Sequence, residues 1–232
     1  MKQTHTLSDS QIAALRKCSS ASVANAIETL NVRPRNQGYV GAEVRCLFPS
    51  LPPMVGYACT AVVSSRVPPP EQARVSVLDL WKHIESMPAP RVVVLHDMDE
   101  ERVRGAFWGE VTGNIYTRLG CVGTVTDGAV RDLDEVRALG FHFFAAKVCV
   151  SHAYIHVVEV GAPVEVGGLV VRPGDLLHGD QHGVVQVPRE IAGEVPEAVR
   201  RVEERERQII EYARSKDFTA EGLAAMMGVK KG

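Results

Sequence analysis

A continuous apolar run, RVVVLH at residues 91–96, most limits the folds that this chain can adopt. A run without polar alternation is typical of a strand that is buried on both faces, as in a parallel sheet covered by helices. A helical pattern at 110–119, a second strand at 122–126 and a helix at 132–139 follow it. This alternation of strand and helix predicts a mixed α/β sheet with crossover helices.

Helices are expected at both ends of the chain. Ser8 and Gln11 form a capping-box pattern before the first helix, and a second helix is expected from Ser20 or Ser22 to Leu30. We expect one domain over residues 1–232, with a C-terminal helical arm over about 196–232. The other expected elements are an irregular connection at 31–57, a strand at 58–67, a helix at 71–87, short strands within 141–188, and helices at 196–214 and 219–227.

Charge and cysteine content exclude several classes of protein. A net charge of −2 gives no basic surface for nucleic acid or an anionic membrane, so neither is expected as a partner. No apolar run reaches the roughly 18 residues that span a bilayer, and the N-terminus lacks the apolar stretch of a signal peptide. Five cysteines, an odd number without a Cys-x-x-Cys pair, indicate reduced thiols in a cytoplasmic protein.

The stretch TVTDGAVRDLDEV at residues 124–136 places an arginine and three acids where a strand gives way to a helix. One interpretation is structural: Asp132 would be the N-cap of the helix at 132–139, and Glu135 its capping-box partner. The other interpretation is chemical, in which Arg131 and Asp132 bind an oxyanion and a cation. The stretch alone supports both equally.

The upstream stretch FWGEVTGN favours the chemical interpretation. Gly109 and Glu110 lie where a loop enters a helix, and helix N-termini bind carboxylates and phosphates through free N–H groups. Glycine also lets a ligand approach the backbone closely. Strands 91–96 and 122–126 would bring Glu110 and the pair Arg131-Asp132 to one edge of a parallel sheet, where such folds bind ligands. These groups suit a small anion held against a divalent cation.

The spacing of these residues resembles that of a known family. Glu110, then twenty residues, Arg131-Asp132, two residues and Glu135 resemble the metal-dependent 4-hydroxy-4-methyl-2-oxoglutarate aldolases, which belong to the RraA-like proteins. The resemblance covers most of the chain, because SSASVANAIETL, WGEV, VTDGAVRD and VRPGDLLHGDQHGVVQVP occur in the family's order.

The resemblance implies a swivelling β/β/α fold with helical N- and C-terminal arms, assembled as a homotrimer or homohexamer with sites between subunits. Asp132 would be the protein ligand of Mg²⁺ or Mn²⁺, Glu110 would hold metal-bound water, and Arg131 would contact the keto acid. A glutamate from a neighbour's C-terminal helix would complete the site: Glu206 matches best, with Glu203 and Glu204 as alternatives. The substrate carboxylate would bind the backbone of Gly109, Glu110, Val111 and Thr112.

The implied activity is that of a lyase. A 2-keto acid can chelate a hard cation, which would stabilise the pyruvate enolate formed when the C3–C4 bond breaks. Arg131 would add a fixed positive charge at the enolate oxygen, and a base near Glu110 would take the C4 hydroxyl proton. Because oxaloacetate decarboxylation passes through the same enolate, we expect both activities from one site.

Three alternatives remain open. Some relatives are ribonuclease E regulators that bind protein without catalysis, but they lack the aspartate that corresponds to Asp132. A methyltransferase is disfavoured, since no Gly-x-Gly-x-x-Gly turn follows a strand. The i, i+4 pairs His152/His156 and His178/His182 could indicate zinc but lack an accompanying acid motif. The chain departs from the family at Glu110, where aspartate is common, and at His182, where aldolases usually carry an acid.

Overall fold

The computed structural model describes residues 6–100 and 104–229. Its helices are α1 Asp9–Leu15, α2 Ser20–Thr29, α3 Val77–Ser86, α4 Glu110–Arg118, α5 Leu133–Ala138, α6 Val195–Arg214 and α7 Ala220–Met227. Its strands are β1 Arg45–Cys46, β2 Met54–Ser64, β3 Arg91–Asp97, β4 Ala106–Trp108, β5 Cys121–Val130, β6 His142–Val148, β7 His156–Val160, β8 Val164–Val166, β9 Leu169–Val171, β10 Leu176–Asp180 and β11 Gly183–Val187.

One mixed sheet organises the molecule. Its strands follow the order β1-β6-β5-β3-β2-β10-β11, with β4 paired to β5 and β7 paired to β2. The central pairs β2–β3, β3–β5 and β5–β6 are parallel, whereas β1, β7, β10 and β11 pair antiparallel. A separate hairpin is formed by β8 and β9. The expectation of an α/β fold with a mixed sheet and crossover helices is therefore confirmed.

Apolar clusters attach the other elements to this sheet. One face of the sheet is covered by α3, α4 and α5, and the opposite face packs against the β8–β9 hairpin. The terminal helices α1, α2 and α6 pack together against β10 and β11. None of the helices in the described ranges combines the length and apolar character that a membrane crossing requires.

Local capping explains where the expected helices begin. The Ser8–Gln11 capping box is present at α1, and α2 begins at Ser20, the first of the two expected starts, with Ser19 as the cap that accepts the Ser22 N–H. The expected start of α3 at residue 71 was wrong, because Ser76 and Asp79 form its cap. The helices expected at 196–214 and 219–227 are confirmed, although residues 230–232 of the expected arm lie outside the described residues.

Strands β4 and β5 differ from the expected strands, and both lead to the candidate site residues. The strand expected at 122–126 continues to Val130, through an irregularity between Thr126 and Ala129. The short strand β4 was missed, because three residues carry no detectable periodicity. It runs parallel to the extended end of β5, with Trp108 opposite Val130. The two strands therefore end side by side.

A buried carboxyl group lies where β3 ends. Asp97 is 1% exposed, and its Oδ1 accepts the Asp99 N–H while its Oδ2 has no hydrogen-bond partner among the described residues. Burial raises the pKa of Asp97 to about 6, and the nearby carboxylates of Asp99 and Asp127 add to the increase. Below about pH 6 the folded protein therefore favours the protonated, uncharged form of this side chain.

This predicts an unusual pH dependence for Asp97→Asn, which mimics the protonated acid. Because the folded pKa exceeds the unfolded one, the stability contributed by the Asp97 proton is present below about pH 4 and lost as pH rises through 6. The unfolding free energy of the variant minus that of wild type should therefore increase by on the order of 3 kcal/mol as the pH rises from 4 to 7. Urea unfolding across that range measures the difference.

Asp79→Asn serves as a control, because its effect on the unfolding free energy should depend on pH in the opposite direction. Hydrogen bonds from Ser76 lower the pKa of exposed Asp79, so the stability that this carboxylate contributes is lost only as pH falls below about 4. Parallel pH profiles for wild type and Asp97→Asn would contradict the inferred burial of a proton at Asp97.

Candidate functional site

Pairing between β4 and β5 brings the two sequence motifs together. Beyond the Trp108–Val130 pair, the Arg131 N–H donates to the Trp108 carbonyl at 3.0 Å. The next residues of each strand, Gly109 and Asp132, consequently lie beside each other. The expected meeting of Glu110 with Arg131 and Asp132 at one sheet edge is thus observed, although β4 rather than β3 delivers Glu110.

Asp132 adopts a conformation that turns its side chain away from its own helix. Its backbone is left-handed, with φ 54° and ψ 52°, a region that aspartate tolerates better than most residues. It occupies the N-cap position of α5, yet its side chain makes no cap hydrogen bond there. The capping-box interpretation of Asp132 and Glu135 was therefore wrong.

The carboxylate of Asp132 instead binds the start of another helix. Its Oδ2 accepts the backbone N–H of Glu110, the first residue of α4, at 2.9 Å. The guanidinium of Arg131 lies nearby, with Nε 3.7 Å from the same oxygen. A negative charge at a helix N-terminus is favourable because the free N–H groups and the helix dipole are positive there. This contact joins α4 to the Arg131-Asp132 pair.

Gly109 makes this close approach possible. A Cβ at this position would overlap Asp132 Oδ2 and would lie 3.2 Å from Arg131 Nε. The backbone of Gly109 is extended, with φ −160° and ψ −168°, which any residue can adopt. Glycine at position 109 therefore leaves space for the Asp132 carboxylate where it lies, whereas the backbone conformation does not require glycine.

The rest of the α4 N-terminus remains open. Among the described residues, the N–H groups of Val111 and Thr112 have no hydrogen-bond partner, and Val111 is exposed. The Thr112 hydroxyl instead accepts the Gly109 N–H at 2.9 Å, which fixes the first turn. Arg131 Nη1 donates to the Val150 carbonyl at 3.4 Å, which holds the guanidinium beside this turn. Two amides and one cation thus face solvent together.

The carboxylates at this site could hold a hard cation. Among the described residues, Asp132 Oδ1 has no hydrogen-bond or ion-pair partner, and the Glu110 side chain is exposed on the first turn of α4. Within residues 6–100 and 104–229, no three His, Cys, Asp or Glu side chains are grouped to hold a metal. The donors therefore suit a cation bound through one carboxylate that keeps several waters, as Mg²⁺ does.

Glu206 lies elsewhere in the same chain. It is on α6, and its Oε1 accepts from Asn25 Nδ2 of α2 at 3.3 Å. Of the alternatives, Glu203 accepts from the Ser22 hydroxyl at 3.2 Å, and Glu204 pairs with Arg207 at 3.1 Å. No hydrogen bond or ion pair among the described residues links any of these glutamates to Arg131 or Asp132.

A separate cleft of about 1050 Å³ is lined by His96, Asp99, Asp127 and Lys147, and the glutamates Glu43, Glu100 and Glu165 also border it. Its buried acids already have donors. Asp127 accepts from His96 Nδ1 and from the Asp97 N–H, both at 2.8 Å. Asp99 accepts hydrogen bonds from Ser64, Ser65 and Arg66. Asp99 and Asp127 are therefore held by the fold, whereas Asp132 Oδ1 has no partner among the described residues.

The histidine pairs considered for zinc bind protein oxygens through their Nδ1 atoms. His152 and His156 contact the carbonyls of Ala153 and Tyr154, each at 2.8 Å. The buried His178 lies 2.9 Å from the Ser20 hydroxyl, and His182 lies 3.0 Å from Asp180 Oδ1. In these pairs the Nδ1 atoms help to anchor loops and β10.

Comparison with known proteins identifies a family and several relatives of this chain. The family model RraA-like, described as Aldolase/RraA, matches residues 6–186. An uncharacterized protein of Methanocaldococcus jannaschii is 32% identical over 52% of this chain and 59% of its own length. A protein of Halalkalibacterium halodurans named "Putative 4-hydroxy-4-methyl-2-oxoglutarate aldolase" is 31% identical over 44% of this chain and 48% of its own length.

A solved structure shows the same fold. Streptomyces coelicolor RraAS2, described as an unusual member of the RNase ES inhibitor RraA protein family, superposes with a TM-score of 0.67 at 24% identity. The superposition covers 91% of this chain and 99% of the Streptomyces chain. Across the curated relatives, by contrast, the matches span between 30% and 59% of their lengths.

Proposed function

This chain belongs to the RraA-like family of aldolases and RraA proteins, and we propose that it is a divalent-metal-dependent lyase that cleaves a carbon–carbon bond of a small 2-keto acid. The proposed reactions are 4-hydroxy-4-methyl-2-oxoglutarate aldolase-like cleavage and oxaloacetate decarboxylation. The relative from Halalkalibacterium halodurans is named for the first of these reactions.

One observation carries the proposal. An acid with an available oxygen, a guanidinium and the open N-terminus of a helix meet at Asp132, Arg131 and α4. A 2-keto acid presents a carboxylate and an adjacent keto oxygen, and these are the groups that such a site can bind. A purely regulatory surface that binds another protein would not require this convergence.

The residues of the chain have distinct proposed roles. The N–H groups of Val111 and Thr112 bind the substrate carboxylate, which gains from the positive end of α4. Asp132 would hold Mg²⁺ or Mn²⁺, which would supply Lewis acidity for the keto acid. Arg131 places a fixed positive charge where the oxygen of the pyruvate enolate develops, so it stabilises the transition state more than the ground state.

Proton transfer requires a further group. Cleavage of the C3–C4 bond releases the C4 fragment as a carbonyl compound, so the C4 hydroxyl must lose its proton. Glu110 is a candidate, because its carboxylate is exposed on the first turn of α4, the turn whose amides are proposed to bind the substrate. We propose that it accepts this proton directly or through a water, with Glu206 of a neighbouring subunit as the second acid. Decarboxylation of oxaloacetate needs no such base.

Release of pyruvate from oxaloacetate with and without Mg²⁺ tests the proposed activity. Wild type should show a rate that depends on the metal, and Asp132→Asn should lose it while unfolding at a similar temperature. Asn retains an oxygen that can accept the Glu110 N–H but lacks the charge that a hard cation needs. Absence of metal-dependent turnover in wild type would favour the alternative of a non-catalytic RraA-type regulator.

Arg131→Lys tests whether the guanidinium acts through its geometry. Lysine keeps the charge but not the planar fork of donors, so turnover should fall at least about tenfold, equivalent to about 1.4 kcal/mol of transition-state stabilisation. Steady-state kinetics on oxaloacetate with saturating Mg²⁺ measure the loss. A wild-type rate would exclude a direct contact between Arg131 and the reacting atoms.

Mixed oligomers test whether Glu206 completes a neighbour's site. Asp132→Ala and Glu206→Ala should each be inactive alone, but unfolding and refolding them together should restore activity. A working site then needs intact Asp132 from one chain and intact Glu206 from the next, so equal random mixing should recover roughly a quarter of wild-type activity in a closed ring. No recovery in well-mixed oligomers would remove Glu206 from the site or place it in the same subunit as Asp132.

A further inference from the structure

We propose that the first residues of α4 position the metal-binding carboxylate: the Glu110 N–H holds Asp132 Oδ2, the missing side chain at Gly109 leaves room for it, and Oδ1 alone faces the cation. This inference rests on the proposed function, and it assigns Gly109 and the Glu110 amide a positioning role. In this arrangement the first amide of α4 binds the carboxylate of Asp132, and the next two amides remain for the carboxylate of the substrate.

The backbone of Asp132 explains why its side chain needs an external anchor. Its left-handed conformation directs the carboxylate away from α5, so its own helix cannot fix its rotamer. The one hydrogen bond that orients the carboxylate among the described residues comes from Glu110 N–H at 2.9 Å. The Arg131 Nε, 3.7 Å away, is beyond hydrogen-bond distance. Loss of the amide donor would therefore release the carboxylate to rotate.

The first three amides of α4 are used unequally in the structure. The Glu110 N–H is already used by Asp132, whereas the next two amides, of Val111 and Thr112, have no partner among the described residues. A carboxylate of the substrate would meet these two amides without displacing Asp132. The same helix end can consequently hold the metal ligand and the keto acid side by side.

Proline at position 110 removes the amide donor with little other disturbance. Position 110 is the first residue of α4, where proline is well tolerated, and the extended backbone of Gly109 suits a residue that precedes proline. Glu110→Ala is the matched control, because it loses the same side chain but retains the N–H. Any difference between the two variants reports the amide rather than the Glu110 carboxylate.

The test measures Mn²⁺ binding to the substrate-free protein from the electron paramagnetic resonance signal of free Mn²⁺. Glu110→Pro should bind Mn²⁺ at least tenfold more weakly than Glu110→Ala. Equal affinities in these two variants would overturn the positioning role while leaving the proposed function intact. Failure of both wild type and Glu110→Ala to bind Mn²⁺ would instead remove the proposed function and this inference with it.

A second pair of variants keeps the inference testable if Glu110→Pro does not fold. Gly109→Ala should also weaken Mn²⁺ binding at least tenfold, because its Cβ would displace Asp132 Oδ2. Gly113→Ala, one turn along the same helix, places its Cβ against the methyl groups of Leu139 and Val136 and should bind within twofold of wild type. Wild-type affinity in Gly109→Ala would overturn the inference.

Stability supplies a readout that is independent of the metal. If Gly109→Ala lowers the urea midpoint, the loss should largely disappear in an Asp132→Ala background, since the overlapping carboxylate is then absent. The same loss in both backgrounds would show that Gly109 is required for some reason other than the position of Asp132.

Discussion

The site depends on a three-residue parallel pairing. Without β4 beside the end of β5, the Arg131 N–H would not reach the Trp108 carbonyl, and Gly109 would not meet Asp132. Trp108 itself is fully buried, packed against the rings of Tyr116 and Phe141. This packing anchors β4 to the core that α4 and α5 cover, so the position of the exposed polar groups is set by buried aromatic contacts beneath them.

Much of this fold follows from local sequence rules. The capping pair Ser8 and Gln11, the apolar run of β3 and the long amphipathic α6 were predicted because each carries its own signal. The boundaries of α3 and β5 were not predicted. The first depends on a cap at Ser76, and the second on tertiary pairing with β4 and β6, which extends a strand past a sequence that resembles a turn.

The proximity of three candidate residues was predictable, but the geometry between them was not. Spacing and resemblance selected Glu110, Arg131 and Asp132, and the structure places them together. The role of Gly109 in accommodating Asp132 was not predicted, because nothing in the local sequence states which carboxylate approaches it. The left-handed backbone of Asp132 was likewise hidden, since an aspartate before a helix ordinarily suggests a cap of that helix. In both cases a contact between segments more than twenty residues apart decides the role.

The acids of this molecule differ in how far their carboxylate oxygens are occupied by hydrogen bonds. At the end of β3, Asp99 and Asp127 are buried and accept donors from backbone and side chains, so their charges are committed to the fold. Within the part of the chain that the structure describes, Asp132 keeps one oxygen without a partner; its side chain is 35% exposed, and that of Arg131 is 36% exposed. Charges so exposed are screened by water, which weakens their effect on a reacting group. For these residues to act as proposed, another surface must exclude water from them, and the proposed neighbouring subunit would do so while bringing the carboxylate of Glu206.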